Sequence, residues 1–122
     1  MEEKGNNPEL KTRKKAFALA ILRLYTSLPN APDAQVLGRQ VMRSGTSVGA
    51  HYREGQRAKS DADLISKIEG LLQELSETEY WLELLRDSGI CKPEQVNGLL
   101  DEANQLTGIF VTIVKKVKAR RS

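Results

Sequence analysis

The sequence predicts an all-α protein, an up-and-down antiparallel four-helix bundle, and three observations carry that prediction. Between Asp61 and Leu85, the residues Leu64, Ile68, Leu71, Leu75, Thr78, Leu82 and Leu85 recur at alternating steps of four and three. That is the period of one helix face and not the two-residue period of a strand. Three breaker segments, Pro29-Asn30-Ala31-Pro32, Gly55 to Lys59 and Gly89 to Lys92, divide the chain into four periodic stretches. Only Phe17, Tyr25, Tyr52, Tyr80, Trp81 and Phe110 are aromatic against a hydrophobic fraction of 39%, which suits layers of Leu, Ile and Val more than a sandwich or barrel. A chain of 122 residues holds one domain, and four helices joined by short loops close most simply as a bundle.

Each element follows in order. Residues 1–8 are polar, contain Gly5, Asn6 and Asn7, and read as an N-terminal arm. A first helix over about 9–28 places Leu10, Phe17, Ala18, Ile21, Leu24, Tyr25 and Leu28 at helical spacing, with Pro8 suited to a first turn. A second, over about 34–57, takes Asp33 as its cap and offers a thin apolar set: Val36, Leu37, Val41, Met42, Val48 and Tyr52. Gly38, Gly45 and Gly49 interrupt it. Each costs about 0.5–1 kcal/mol relative to alanine in a helix interior, so three together predict close approach of another helix, or a kink near Ser44-Gly45.

The third helix, 61–88, starts at Ser60 or Asp61 and stops at Ser88-Gly89. The fourth, 93–119, opens on Pro93 and carries Val96, Leu100, Ala103, Thr107, Phe110, Val114 and Val117 in the same four-three rhythm; its β-branched run Ile109 to Val114 is short beside that long period. Residues 120–122 form a basic end. Ile65, Leu72, Trp81 and Leu84 on the third helix, and Leu99, Leu106 and Ile113 on the fourth, widen the apolar faces beyond a narrow seam. Trp81 and Leu84 are the expected oligomer interface, because tryptophan is enriched among binding anchors.

The net charge of +3 hides a larger asymmetry. Residues 61–102 carry eleven acids against Lys67, Arg86 and Lys92, a balance of −8, which leaves +11 on the remainder. A basic balance of that size attracts polyanions, of which nucleic acid is the commonest. Lys11, Arg13, Lys14 and Lys15 crowd the start of the first helix, where cations oppose the helix dipole. In an up-and-down bundle they fall at the same end as Lys115, Lys116, Lys118, Arg120 and Arg121, which predicts a basic pole and an RNA-binding surface without base specificity. On the second helix Arg39, Arg43, Arg53 and Arg57 share an arc of about 80° at 100° per residue, a stripe matched to phosphate or to the acidic arc of Glu69, Glu79, Glu83 and Asp87 on a neighbouring subunit.

The run Arg43-Ser44-Gly45-Thr46-Ser47-Val48-Gly49-Ala50-His51-Tyr52-Arg53-Glu54-Gly55, followed by Leu75-Ser76-Glu77-Thr78-Glu79-Tyr80-Trp81-Leu82, resembles the four-helix-bundle proteins encoded within intervening sequences of bacterial 23S ribosomal RNA genes. The resemblance implies a ring-like homopentamer. It extends more distantly to the accessory variability proteins of diversity-generating retroelements, basic pentamers that bind nucleic acid and a reverse transcriptase. The family's motif positions fall on Arg43, Ser44, Ser47, Glu54, Glu74 and Glu77, which imply a structural polar network. If that network is partly buried, removing one member should cost several kcal/mol. His51 stands where the resemblance leads one to expect asparagine.

Catalytic readings find little support in these residues. Ser47 and His51 are four apart on one helix, yet no orienting acid or oxyanion site accompanies them. The glutamates lack the Glu-x-x-His motifs of carboxylate-bridged metal sites in bundles. Cys91 is the one cysteine and His51 the one histidine, so neither a disulfide nor a zinc site of usual composition can form within one chain. Gly45 to Gly49 lacks the lysine of a phosphate loop. No cofactor is expected. No apolar run approaches the ~20 residues of a membrane span and the N-terminus lacks a signal-peptide core, so the expectation is a cytoplasmic protein. The function these features favour is a non-enzymatic oligomeric scaffold that binds structured RNA or an RNA-protein complex. The alternative is a protein-interaction ring that docks an acidic protein.

Overall fold

The computed structural model describes residues 8–121, with side chains over 9–120. The expected arm, apart from the backbone of Pro8, lies outside the described residues, as do Ser122 and the side chain of Arg121. Four helices make up the chain: α1 (Pro8–Ser27), α2 (Pro32–Gln56), α3 (Asp61–Asp87) and α4 (Pro93–Arg121), with no strand among the described residues. Connections of four or five residues force successive helices to run antiparallel.

The ends of the helices follow from local chemistry. Ser60 Oγ accepts the Asp63 N–H at 3.0 Å, while Asp63 Oδ2 accepts the Lys59 N–H at 3.1 Å, so two otherwise unpaired donors at the start of α3 are satisfied reciprocally. Gly89 adopts φ +82° and lets the Cys91 N–H turn back onto the Leu85 carbonyl at 2.9 Å. The start of α2 differs from expectation. Pro32 takes the first helical position, Ala31 precedes it without a side-chain cap, and Asp33 sits inside the first turn, accepting the Ala34 N–H at 2.9 Å. A proline's fixed φ suits it to open a helix, which moves the boundary two residues earlier than a cap at Asp33 implied.

All seven seam residues of α3 are buried, and Ile65 joins them. In α4 the core is Val96, Ala103, Leu106, Phe110, Val114 and Val117; Leu106 is fully buried, whereas Leu100 and Thr107, expected in the seam, are half-buried. The largest departure is α2. Val36 is 53% exposed, and the buried face is built instead from Ala34, Gly38, Val41, Ser44, Gly45, Val48, Tyr52 and Gly55.

That small-residue face explains the glycines, and α2 runs unbroken through Ser44-Gly45. A Cβ on Gly38 would meet Leu28 Cδ1 at 2.5 Å and Tyr25 at 2.9 Å; one on Gly45 would meet three Ile21 atoms between 3.0 and 3.4 Å. α1 therefore lies against the backbone of α2. Its other flank is looser: α1 and α4 are separated by a groove of about 570 Å³, lined among others by Ala16, Ala20, Leu24, Gly98 and Leu99. Arg13 bridges the two helices, donating to both carboxylate oxygens of Glu102 at 3.0 and 2.7 Å.

Candidate functional site

Of the side chains flagged by the family resemblance, Arg43 meets Glu74 and Glu77 across the seam between α2 and α3. Arg43 Nη2 donates to Glu77 Oε1 at 2.8 Å, and its Nη1 lies 3.5 Å from Glu74 Oε1. The hydrogen bond to Glu77 is the main reason the Arg43 guanidinium holds its proton even more firmly than usual. About two turns further along α2, His51 stands between two carboxylates, Nδ1 3.7 Å from Glu54 and Nε2 3.7 Å from Glu74. Its ring lies on Gly70, where a Cβ would come within 3.2 Å of Cε1. His51 Nδ1 and Glu74 Oε1 are buried without a hydrogen-bond partner.

Ser44 and Thr78 are wholly buried, with their oxygens 2.8 Å apart. Ser47 Oγ donates to the Arg43 carbonyl at 2.7 Å, so its hydroxyl is engaged with its own helix rather than with His51. The two nitrogens of His51 face different carboxylates, which is not the convergence a metal ion needs, and no cluster suited to a metal occurs among the described residues. What this seam does chemically is hold α2 to α3.

Its energetic weight is smaller than the sequence suggested. The Arg43 side chain is 52% exposed, so water screens its pairs with Glu77 and Glu74. Arg43→Ala is expected to lower unfolding free energy by about 1 kcal/mol or less in urea titration, in place of the several kcal/mol of a buried pair.

The cations divide into two groups. Arg13 is held by Glu102, Lys118 Nζ lies 3.5 Å from Glu69, and Arg120 donates to both oxygens of Asp61 at 3.2 and 2.8 Å. These three are engaged within the chain. The single basic pole does not form as expected. With Arg13 level with Glu102, Lys115 lies thirteen residues further down α4, roughly 20 Å at 1.5 Å per residue. α1 has 20 residues and α4 has 29, so the cation clusters are staggered along the axis. Lys115 and Lys116 are exposed on α4, and Arg39 is exposed near the start of α2.

The second group gathers where α1 faces the C-terminal half of α2. Lys14 is half-buried, its Nζ 5.4 Å above the centre of the Tyr52 ring. Burial first, then Arg53, Lys11 and Lys15, push its ammonium below the usual lysine range. Lys11, Lys15, Arg53 and, one turn beyond, Arg57 are exposed around it. The nearest acids point elsewhere: Glu9 acts on Arg13 and Glu54 faces His51. Sequence reasoning named all five cations but distributed them between a pole and a stripe. It missed Tyr52 and Gly49 as the floor beneath Lys14; the only signal was a glycine four residues before the arginine and three before the tyrosine.

Trp81 and Leu84 on α3 are both half-buried, and Trp81 packs against the hydrophobic core. Trp81 packs edge-to-face on Tyr80 at 5.1 Å, and Tyr80 is 55% exposed. The Trp81 Nε1 is buried without an acceptor. Nearby, burial and then the charge of Glu83 raise the Glu79 carboxyl above the usual carboxylate range.

Comparison with known proteins places this geometry in context. The family described as 23S rRNA-intervening sequence protein matches residues 8–111. Among solved structures, a protein of unknown function from the S23 ribosomal protein family of Bacteroides thetaiotaomicron is 38% identical; the alignment covers 86% of this chain and 94% of that one, with a TM-score of 0.81. No curated protein matches the chain.

Proposed function

The chain belongs to the 23S rRNA-intervening sequence protein family, and on that premise we propose that it acts without catalysis, as a multi-copy scaffold that holds nucleic acid through its phosphates. The observation that carries this reading is the set of cations Lys11, Lys14 and Lys15 on α1 and Arg53 on α2, which gather around the Lys14 ammonium with no ion pair to an acid among the described residues, and which Arg57 follows one turn beyond Arg53. Mutual repulsion there costs the free protein stability, and a polyanion removes that cost. Three of the five sit in the first half of α1, where the helix dipole gives them no support.

Assembly into several copies is part of the same proposal. The exposed Tyr80 beside half-buried Trp81 and Leu84 supports it as an apolar contact face, and repetition of a weak site around an assembly multiplies its hold on one polymer. A five-membered ring comes from the family resemblance alone.

The experiment is light scattering combined with binding of a fluorescent structured RNA across a salt series. Expected are an oligomer and a log–log salt slope that is steep and linear, because each phosphate contact releases counterions. A monomer at micromolar concentration would remove the scaffold. Absence of RNA binding would favour instead an acidic protein as the partner of the same cations.

A further inference from the structure

Resting on the nucleic-acid reading, and narrowing it to one place, we infer that the α1–α2 surface around Lys14 is a seat for backbone phosphate, with Lys14 and Arg53 as its two jaws and Tyr52 and Gly49 as its floor. The floor is built for an anion rather than a base. Tyr52 is only 3% exposed, its ring covered by the Lys14 ammonium and set edge-on to Phe110 at 5.8 Å, so it offers no face on which a base could stack. The exposed aromatic residue, Tyr80, stands on α3 among Glu77, Glu79 and Glu83 instead.

Gly49 keeps this surface open. A Cβ there would touch only the Lys14 side chain, Cδ and Nζ both at 3.7 Å, so nothing but that flexible lysine covers this stretch of α2. In the free protein the ammonium rests on the π face of Tyr52, a cation–π contact that partly replaces the water it has lost. Among the described residues no carboxylate pairs with it. An arriving backbone phosphate presents its two non-bridging oxygens, one to the Lys14 ammonium and the other to the planar fork of Arg53, drawing charge from both helices. Lys11 and Lys15 flank the seat on α1 and Arg57, just past the end of α2, extends it, so the surface suits a short run of backbone. Phosphate contacts of this kind position a strand without reading its sequence.

The seat is tested with oligouridylate and oligoadenylate of about twenty nucleotides and with inorganic pyrophosphate, on the full chain and on Lys14→Met, Arg53→Gln and Lys92→Gln. Lys92 is exposed in the α3–α4 connection, at the other end of α3 from the α2–α3 turn. Lys14→Met and Arg53→Gln should each weaken both oligonucleotides and flatten the salt slope by about 0.7, the release expected per phosphate contact on a single strand. Lys92→Gln should keep the slope of the parent. Without ligand, Lys14→Met should melt no lower than the parent, since methionine keeps an apolar stem over Tyr52 while removing a charge its neighbours oppose. Parental slopes in Lys14→Met and Arg53→Gln, with a parent that binds, would overturn the seat and leave the broader function intact. A parent that binds neither oligonucleotide nor structured RNA would overturn both. A tenfold preference for one base, or tighter binding of pyrophosphate than of either oligonucleotide, would overturn the assignment to nucleic-acid backbone.

Discussion

Gly45→Leu is expected to cost about 3 kcal/mol or more of unfolding free energy, the upper part of the usual range for overpacking a core. The reason is the neighbour and not the glycine itself. Ile21 is wholly buried and presents three atoms within 3.4 Å of the position a Cβ would occupy. A β-branched side chain in a helix has one strongly preferred rotamer, so Ile21 cannot swing aside. Leucine would force α1 off α2, and with it the surface that carries Lys14. Gly49→Ala gives the contrast: a new Cβ meets only the movable Lys14 side chain at 3.7 Å, so the gain in helix propensity, about 0.5–1 kcal/mol, should appear as added stability. Urea titration of both variants checks the pair. Equal effects would mean that the two glycines do not differ in how closely α1 approaches.

Thr78→Val is expected to cost about 2 kcal/mol and Ser44→Ala only about 1, although each removes one hydroxyl from the same contact. Thr78 Oγ1 lies 2.8 Å from Ser44 Oγ and 2.7 Å from the Glu74 carbonyl, and it has one proton to give. Both short contacts are satisfied when Ser44 donates to Thr78 and Thr78 donates to Glu74. Thr78→Val then leaves Ser44 with only the Val41 carbonyl at 3.5 Å, in a place fully shielded from water. Ser44→Ala, by contrast, leaves Thr78 its bond to Glu74. The double variant should be more stable than Thr78→Val alone, because no buried hydroxyl is then orphaned. A double variant less stable than either single one would reverse the assignment.

The four helices were legible because each carries its own signals: the four-three spacing of α3, Pro8 and Pro93 at first turns, and Gly89 just past an end. Of the six residues that the resemblance marks, Arg43, Glu74 and Glu77 meet, while Ser44 pairs with Thr78, Glu54 faces His51 and Ser47 bonds within its own helix. Less of the cation site could be read. Helical period fixes the direction a residue takes around its own axis, and it says nothing of how far one helix slides along another or which neighbour stands on each flank. Nine cations therefore looked like one pole. Packing separated them, because the length mismatch of α1 and α4 and the Arg13–Glu102 bridge set their offset.

By itself, then, the sequence determined the helices, the buried face of α3 and the excess of positive charge outside residues 61–102, and it left the glycines of α2 between a close neighbour and a kink. Tertiary structure alone decided that α1 closes on Gly45 and the end of α1 on Gly38, that Glu102, Glu69 and Asp61 engage Arg13, Lys118 and Arg120, and that Lys14 is left over Tyr52 beside Arg53. The physical reason is range. Propensity, capping and period act within a few residues of one helix, whereas the pairing of charges depends on contacts as far apart as Arg13 and Glu102, which only the packed bundle brings within 3 Å.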